Sequence, residues 1–343
     1  LVGSEMCIRD RDRVAYTSHT MFYPFTIDDC FLSSSQNLFP VEYAIKHKND
    51  LLESGQYSGM LCDVFLESGN KLGTTKSNKQ LAGFPFSGGV IDAPVQIFEM
   101  PQSNRFDDFI YVSGSDPYKQ AKSDTPSLGA FYVFKRRVGI RDPYAYRIVA
   151  SYVSRPSSID QFCRTCEVLQ KGYGAICLME NADQMYEQYL NRKSGMPASF
   201  FLFAGEAIAN KYVKAGSRQN SKLGLYPTPG NQNLLFSCVV DYCWQDFVIG
   251  YDDQTGLDIT VKGIELIDDI ALLDEIIQYK PGLNVDRIIA FGHALVLARY
   301  FDDNNYMPKS KIEEMNNARK EDAYKHHEVY ASAFGSVSIG AFR

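Results

Sequence analysis

Three carboxylates stand where apolar runs give way to turns or helices. Asp116 closes the run Phe109–Ser115, Glu180 closes Ala175–Met179, and Asp286 opens the segment after Pro281-Gly282. Carboxylates brought together without a basic partner repel one another unless divalent cations lie between them, and hard oxygen ligands suit Mg2+ or Mn2+. Two such ions roughly 4 Å apart activate water and stabilise the departing oxygen in phosphodiester hydrolysis. Each acid also has a purely structural use. Asp116-Pro117 makes a turn, Glu180 is a hydrated residue before a helix, and Asp286 is placed as a helix N-cap. Two further residues are accessory candidates: Asp124, in the loop after the first strand, and His293, seven residues after Asp286 on the same helix face.

The elements that must position these residues follow from apolar period and punctuation. Strands are predicted at Phe109–Ser115, Gly129–Lys135 and Tyr146–Val153, an antiparallel meander. A helix follows at Ser158–Lys171, capped by Ser157 or Ser158 and ended by Gly172. Next come a short buried strand, Ala175–Met179, and a helix at Ala182–Arg192 with Asn181 as its cap. A strand pair (Phe247–Tyr251, Asp258–Val261) precedes two last helices, Ile264–Tyr279 and Asp286–Tyr300. The fold class this implies is α/β, a mixed sheet flanked by helices, and strand ends along one sheet edge would bring the three acids together. Upstream, Arg13 to Gln102 reads as irregular apart from a helix at Val41–Leu52. Ser68–Gly89 reads as loop, and Gly69–Ser77 fails as a phosphate loop because Thr74 and Thr75 displace the lysine.

Composition narrows the class. The 343 residues carry 35 Lys and Arg against 41 Asp and Glu, a net charge of −6, which excludes a uniformly basic nucleic-acid coat. With 22 Phe and 22 Tyr the chain is not disordered throughout, and no run of 18 apolar residues offers a membrane span. Eight scattered cysteines read as free thiols. Cys163 and Cys166 share an apolar helix face and read as core, while Cys238 and Cys243 fall in a strand-like stretch with poor zinc spacing. The acids Asp268, Asp269, Asp274 and Glu275 read as a solvated helix face. Basic charge is concentrated in two segments. Lys119–Arg147 has seven basic and two acidic side chains, and Arg192–Lys222 has six and one. Lys119, Arg136, Arg137, Lys211, Lys214, Arg218 and Lys222 are therefore candidates for sequence-independent phosphate contacts.

Residues 105–301 resemble the nuclease domain of phage terminase large subunits, within the RNase H-like superfamily. The resemblance rests on YVSGSDP at Tyr111–Pro117, ICLMEN at Ile176–Asn181 and NVDRIIAFGHAL at Asn284–Leu295, with LLDEIIQY (Leu272–Tyr279) ahead of the third motif. YPFTIDDCFLSSSQNLFP (Tyr23–Pro40) resembles the linker after the family's ATPase domain. The resemblance implies an RNase H-like domain over residues 105–308, a remnant of that linker over 12–104, and a charged helix and tail over 309–343. Leu1–Arg11 resembles translated adaptor sequence. The family's ATP-binding motifs do not occur here, so no ATP site is expected. Family members often double the last acid, whereas Val285 precedes Asp286. The implied activity is Mg2+- or Mn2+-dependent endonucleolytic cleavage of double-stranded DNA during viral genome packaging, with Asp116, Glu180 and Asp286 holding two ions. The implied partners are a small terminase subunit and a portal protein, in the host cytoplasm. A resolvase- or transposase-like nuclease and a catalytically silent DNA-binding assembly module are the competing readings.

Overall fold

The computed structural model describes residues 37–54, 59–102, 109–118, 127–136, 145–181, 184–194, 197–213, 223–252, 255–280 and 282–304. Helix α1 (Val41–Glu53) leads into strands β1 (Met60–Glu67), β2 (Lys71–Lys76) and β3 (Val95–Ile97). The meander follows as β4 (Tyr111–Asp116), β5 (Gly129–Lys135) and β6 (Arg147–Ser154). Helix α2 (Ile159–Tyr173) crosses to β7 (Ile176–Met179), and α3 (Met185–Lys193), α4 (Gly205–Tyr212) and α5 (Pro229–Trp244) come next. A separate hairpin of β8 (Asp246–Asp252) and β9 (Leu257–Lys262) precedes α6 (Ile270–Ile277) and α7 (Asp286–Asp303).

Seven strands form one sheet in the order β2-β1-β3-β6-β5-β4-β7. Every pair is antiparallel except β4 with β7, which run parallel because α2 carries the chain across between β6 and β7. The order β6-β5-β4-β7, three antiparallel strands with the fourth added parallel beside the first, is consistent with the RNase H-like mixed sheet that the motif resemblance implies. Its central strands are buried on both faces, which explains why Gly129–Lys135 is apolar without alternation. One face (Val112, Ala130, Tyr132, Phe134, Leu178) packs on α5, α6 and α7. The other (Tyr111, Phe131, Val133, Cys177, Met179) packs on α2 and α3.

Helix α7 is buried along nearly its whole length, because it lies between the sheet and α5. Two glycines make that possible. A Cβ on Gly114 of β4 would lie 2.1 Å from the Ala290 carbonyl oxygen, and one on Gly292 would lie 3.0 Å from the Leu235 backbone oxygen.

Several expectations are corrected. The stretch read as irregular contributes β1, β2 and β3, so the sheet runs across the boundary expected at residue 105. Lys71–Lys76, read as loop, is an edge strand whose polar, exposed residues hide the strand pattern. Helix α2 ends at Gly174 in the left-handed conformation (φ 64°), whereas Gly172 is interior and packs on Leu72. Helix α3 begins at Met185 after Gln184, and Ala182, where the helix was expected to begin, lies outside the described residues. The predicted Ile264–Tyr279 helix is a short 3-10 turn followed by α6. Cys238 and Cys243 lie buried on α5, a helix rather than a strand. Asp269 and Glu275, read as solvated, are 3% and 1% exposed, since both serve buried polar networks. Cys163 and Cys166 are buried free thiols, as their helix face suggested. Among the described residues no helix is long and apolar enough to cross a membrane.

Candidate functional site

Parallel pairing of β4 with β7 sets two of the three acids side by side. Ser115 is registered with Met179, and the Glu180 amide donates to the Ser115 carbonyl at 2.9 Å. One step further along that register, Asp116 stands beside Glu180, at the strand spacing of about 4.8 Å. Alternation places Asp116 on the face of Val112 and Gly114, and Glu180 on that of Leu178. Both therefore emerge on the face that α7 covers. Asp116 and Glu180 are each partly exposed at the C-terminal rim of the sheet.

The backbone around Glu180 is pinned from its other side. Glu180 makes a parallel bridge with Leu225, whose amide donates to the Met179 carbonyl at 2.7 Å, and the Asn181 amide returns a bond to the Leu225 carbonyl at 2.9 Å. Gly224 takes φ 71°, and a Cβ there would lie 2.7 Å from the Met179 carbonyl oxygen. Asn181, expected as a helix cap, instead donates to the Leu223 carbonyl (2.6 Å) and to Glu187 (2.9 Å). This support was not foreseen from the sequence. Its three-residue segment is too short to show a period, and Gly224 was its one local signal.

Asp286 is the first residue of α7 and is 7% exposed. Its carboxylate does not cap its own helix. Instead it accepts from the Leu128 amide (2.7 Å), the Ser127 hydroxyl (3.0 Å) and the Asn284 side-chain amide (2.8 Å). Leu128 lies two residues before Ala130, the β5 partner of Asp116, so Asp286 is tied to the same rim and the same face. Burial raises its pKa above the ordinary carboxylate value, and the three hydrogen bonds oppose that rise. The next residue anchors the turn. Arg287 is 1% exposed, ion-pairs with Glu275 (3.4 Å) and donates to the Ala82 and Gly83 carbonyls, while Glu275 accepts from the Ile288 amide at 2.8 Å. Asp269 caps α6 through the Ala271 and Leu272 amides and accepts the Tyr132 hydroxyl at 2.9 Å.

The three acids thus share one rim and one face. Among the described residues, however, no three His, Cys, Asp or Glu side chains are arranged as a closed ligand group. The Asp286 carboxylate is turned toward β5.

The accessory candidates fare differently. His293 is fully buried over Gly114, with Nδ1 on the Ile289 carbonyl (2.9 Å) and Nε2 without a hydrogen-bond partner. Burial lowers its pKa to about 4, so it is a neutral core residue at pH 7. It lies about 10 Å along the helix from Asp286. Arg136, expected to meet phosphate, is 3% exposed. It ion-pairs with Asp302 at 2.6 Å, donates to the Phe109 carbonyl and stacks on Phe301. Lys211 sits over Tyr300, 3.6 Å from Asp303. Both residues therefore lie at the far end of α7, roughly 24 Å of helix from Asp286, because β5 and α7 each carry the chain away from the acidic rim. Asp124, Lys119, Arg137, Lys214, Arg218 and Lys222 lie outside the described residues.

No family model matches the chain, and no curated protein matches it. Among solved structures it is similar to the large terminase nuclease from the thermophilic phage G20c, at 13% identity over 62% of this chain and 92% of that one, with a TM-score of 0.27. A likeness of that degree adds nothing to the assignment of individual residues.

Proposed function

We propose that this chain is a divalent-metal-dependent nuclease acting on double-stranded DNA, of the kind that terminase large subunits use in viral genome packaging. One observation carries the reading: Asp116 and Glu180 stand in register on adjacent parallel strands, and the helix bearing Asp286 is fastened to the same rim. An all-carboxylate donor set suits hard divalent ions in kind. Asp116, Glu180 and Asp286 would hold Mg2+ or Mn2+, with Asp286 exchanging its Ser127 and Asn284 bonds for the ion. The chemistry such ions supply is activation of water and stabilisation of charge on the departing 3′ oxygen. The chain's own contribution is position. Register fixes two carboxylates, Leu225 and Gly224 hold the end of β7, and the buried Arg287–Glu275 pair holds the first turn of α7. A small terminase subunit and a portal protein as partners, and action in the host cytoplasm, follow from the motif resemblance of the three acidic segments.

A second reading has its own support. The three hydrogen bonds to Asp286 give that acid a structural use, as a catalytically silent DNA-binding assembly module would require. Thermal unfolding with and without Mn2+ separates the two. A nuclease site is stabilised by millimolar Mn2+, and Asp116→Asn, Glu180→Gln and Asp286→Asn each remove that stabilisation. An unfolding temperature that Mn2+ leaves unchanged in the intact protein would favour the silent module.

A further inference from the structure

Resting on the nuclease reading, we infer that Ser127 is a latch on the third metal ligand: its hydroxyl competes with the divalent ion for Oδ1 of Asp286 and so sets how tightly the site binds metal. The two oxygens of that carboxylate are held differently. Oδ2 accepts two amide donors, the Leu128 main chain at 2.7 Å and the Asn284 side chain at 2.8 Å, whereas Oδ1 accepts the Ser127 hydroxyl at 3.0 Å. A hydroxyl bond to an ionised acceptor is ordinarily shorter than an amide bond to the same group, so the Ser127 bond is long for its kind. It is the contact that a cation displaces most readily. Asn284 is exposed, and water replaces its bond whenever it turns away. Ser127 is half-buried beside Leu128, itself 1% exposed, so the loss of its hydroxyl is less readily made good.

The backbone on either side of the latch is fixed. The Ser127 carbonyl accepts from Arg155 Nη1, and Arg155 exchanges main-chain bonds with Ile91, each 2.9 Å. On the helix side, Arg287 fastens the first turn of α7 to Glu275 and to the Ala82 and Gly83 carbonyls. Neither the start of β5 nor the start of α7 can bring Asp286 to an ion by shifting as a body. The change falls instead on two short side chains, Asp286 and Ser127, whose rotation frees Oδ1. The Ser127 bond belongs to the metal-free form alone. Removing it therefore destabilises that form, leaves the metal-bound form unaltered and tightens metal binding by the same factor.

The test is calorimetric titration of the full chain with Mn2+, beside thermal unfolding in EDTA and at saturating Mn2+. Ser127→Ala is expected to bind Mn2+ about tenfold more tightly than wild type, the worth of one hydrogen bond to a buried charged group. It should unfold at a lower temperature than wild type in EDTA and together with wild type at saturating Mn2+. Ser127→Thr keeps the hydroxyl and should keep the wild-type affinity. If the alanine variant fails to fold, Ser127→Cys, whose thiol is a weak donor, should shift the affinity in the same direction. Unchanged or weaker Mn2+ binding in Ser127→Ala, while Asp286→Asn abolishes it, would overturn the inference and leave the nuclease reading standing, with Ser127 supporting the bound ligand. Failure of the intact chain to bind Mn2+ would refute the nuclease reading and the inference together.

Discussion

Asp286 and its neighbour divide two tasks within one turn of helix. Asp286 offers a carboxylate to the rim, and Arg287 fixes that turn through Glu275 and the Ala82 and Gly83 carbonyls. Removing one member of a buried pair strands the other charge, so Glu275→Ala is expected to cost about 3–5 kcal/mol in urea unfolding. A loss below about 1 kcal/mol would show that the pair does not hold the turn. His293 gives a pH prediction. Its folded pKa, about 4, lies below the ordinary value of 6.5, so between those limits the unfolded chain binds the extra proton. Stability is then full above pH 6.5 and falls as pH drops toward 4, by about 3 kcal/mol at 1.36 kcal/mol per unit. Stability measured across pH 7 to 4 should lose that part of its slope in His293→Gln, and an unaltered slope would contradict the assignment. The rim positions of Asp116 and Glu180 were legible because each closes an apolar run, and that of Asp286 because it opens one. The buried roles of Asp269 and Glu275 were not, since a carboxylate partnered from a distant segment reads like any exposed acid.

At the scale of elements, the site depends on how closely α7 approaches β4. Gly114 sets that approach: any side chain would meet the Ala290 oxygen and the Ala294 nitrogen, at 2.1 and 2.3 Å from its Cβ. Backbone atoms cannot swing aside as a flexible side chain can, so Gly114→Ala must displace the helix. The expected cost is about 1–3 kcal/mol, together with lower Mn2+-dependent cleavage, because Asp286 moves with α7. Wild-type cleavage in Gly114→Ala would contradict the claim that this contact places Asp286. The meander, the crossover helix and β7 were legible because buried strands are uniformly apolar and α2 has one apolar face. β2 was obscured by its exposed edge. α5 was obscured because apolar residues surround it, the consequence of lying against both α7 and the hairpin side of the core.

For the molecule as a whole, one sheet with two unequal cores accounts for the position of the candidate site. The α5, α6 and α7 side carries the acids at its rim, and the α2 and α3 side is a buffer of aromatic rings and buried thiols. On the proposed nuclease reading, the net charge of −6 and the distance of Arg136 and Lys211 from the rim predict modest DNA affinity with local rather than diffuse contacts. The measurement that most directly tests the central claim is conversion of supercoiled plasmid to nicked and linear forms by the purified chain with Mn2+ or Mg2+. Asp116→Asn, Glu180→Gln and Asp286→Asn should be assayed alongside. The account predicts metal-dependent cutting that each substitution reduces by at least about a hundredfold while the fold persists. Cutting that survives all three substitutions, or a folded wild-type chain that binds DNA and Mn2+ but leaves the plasmid intact, would contradict it.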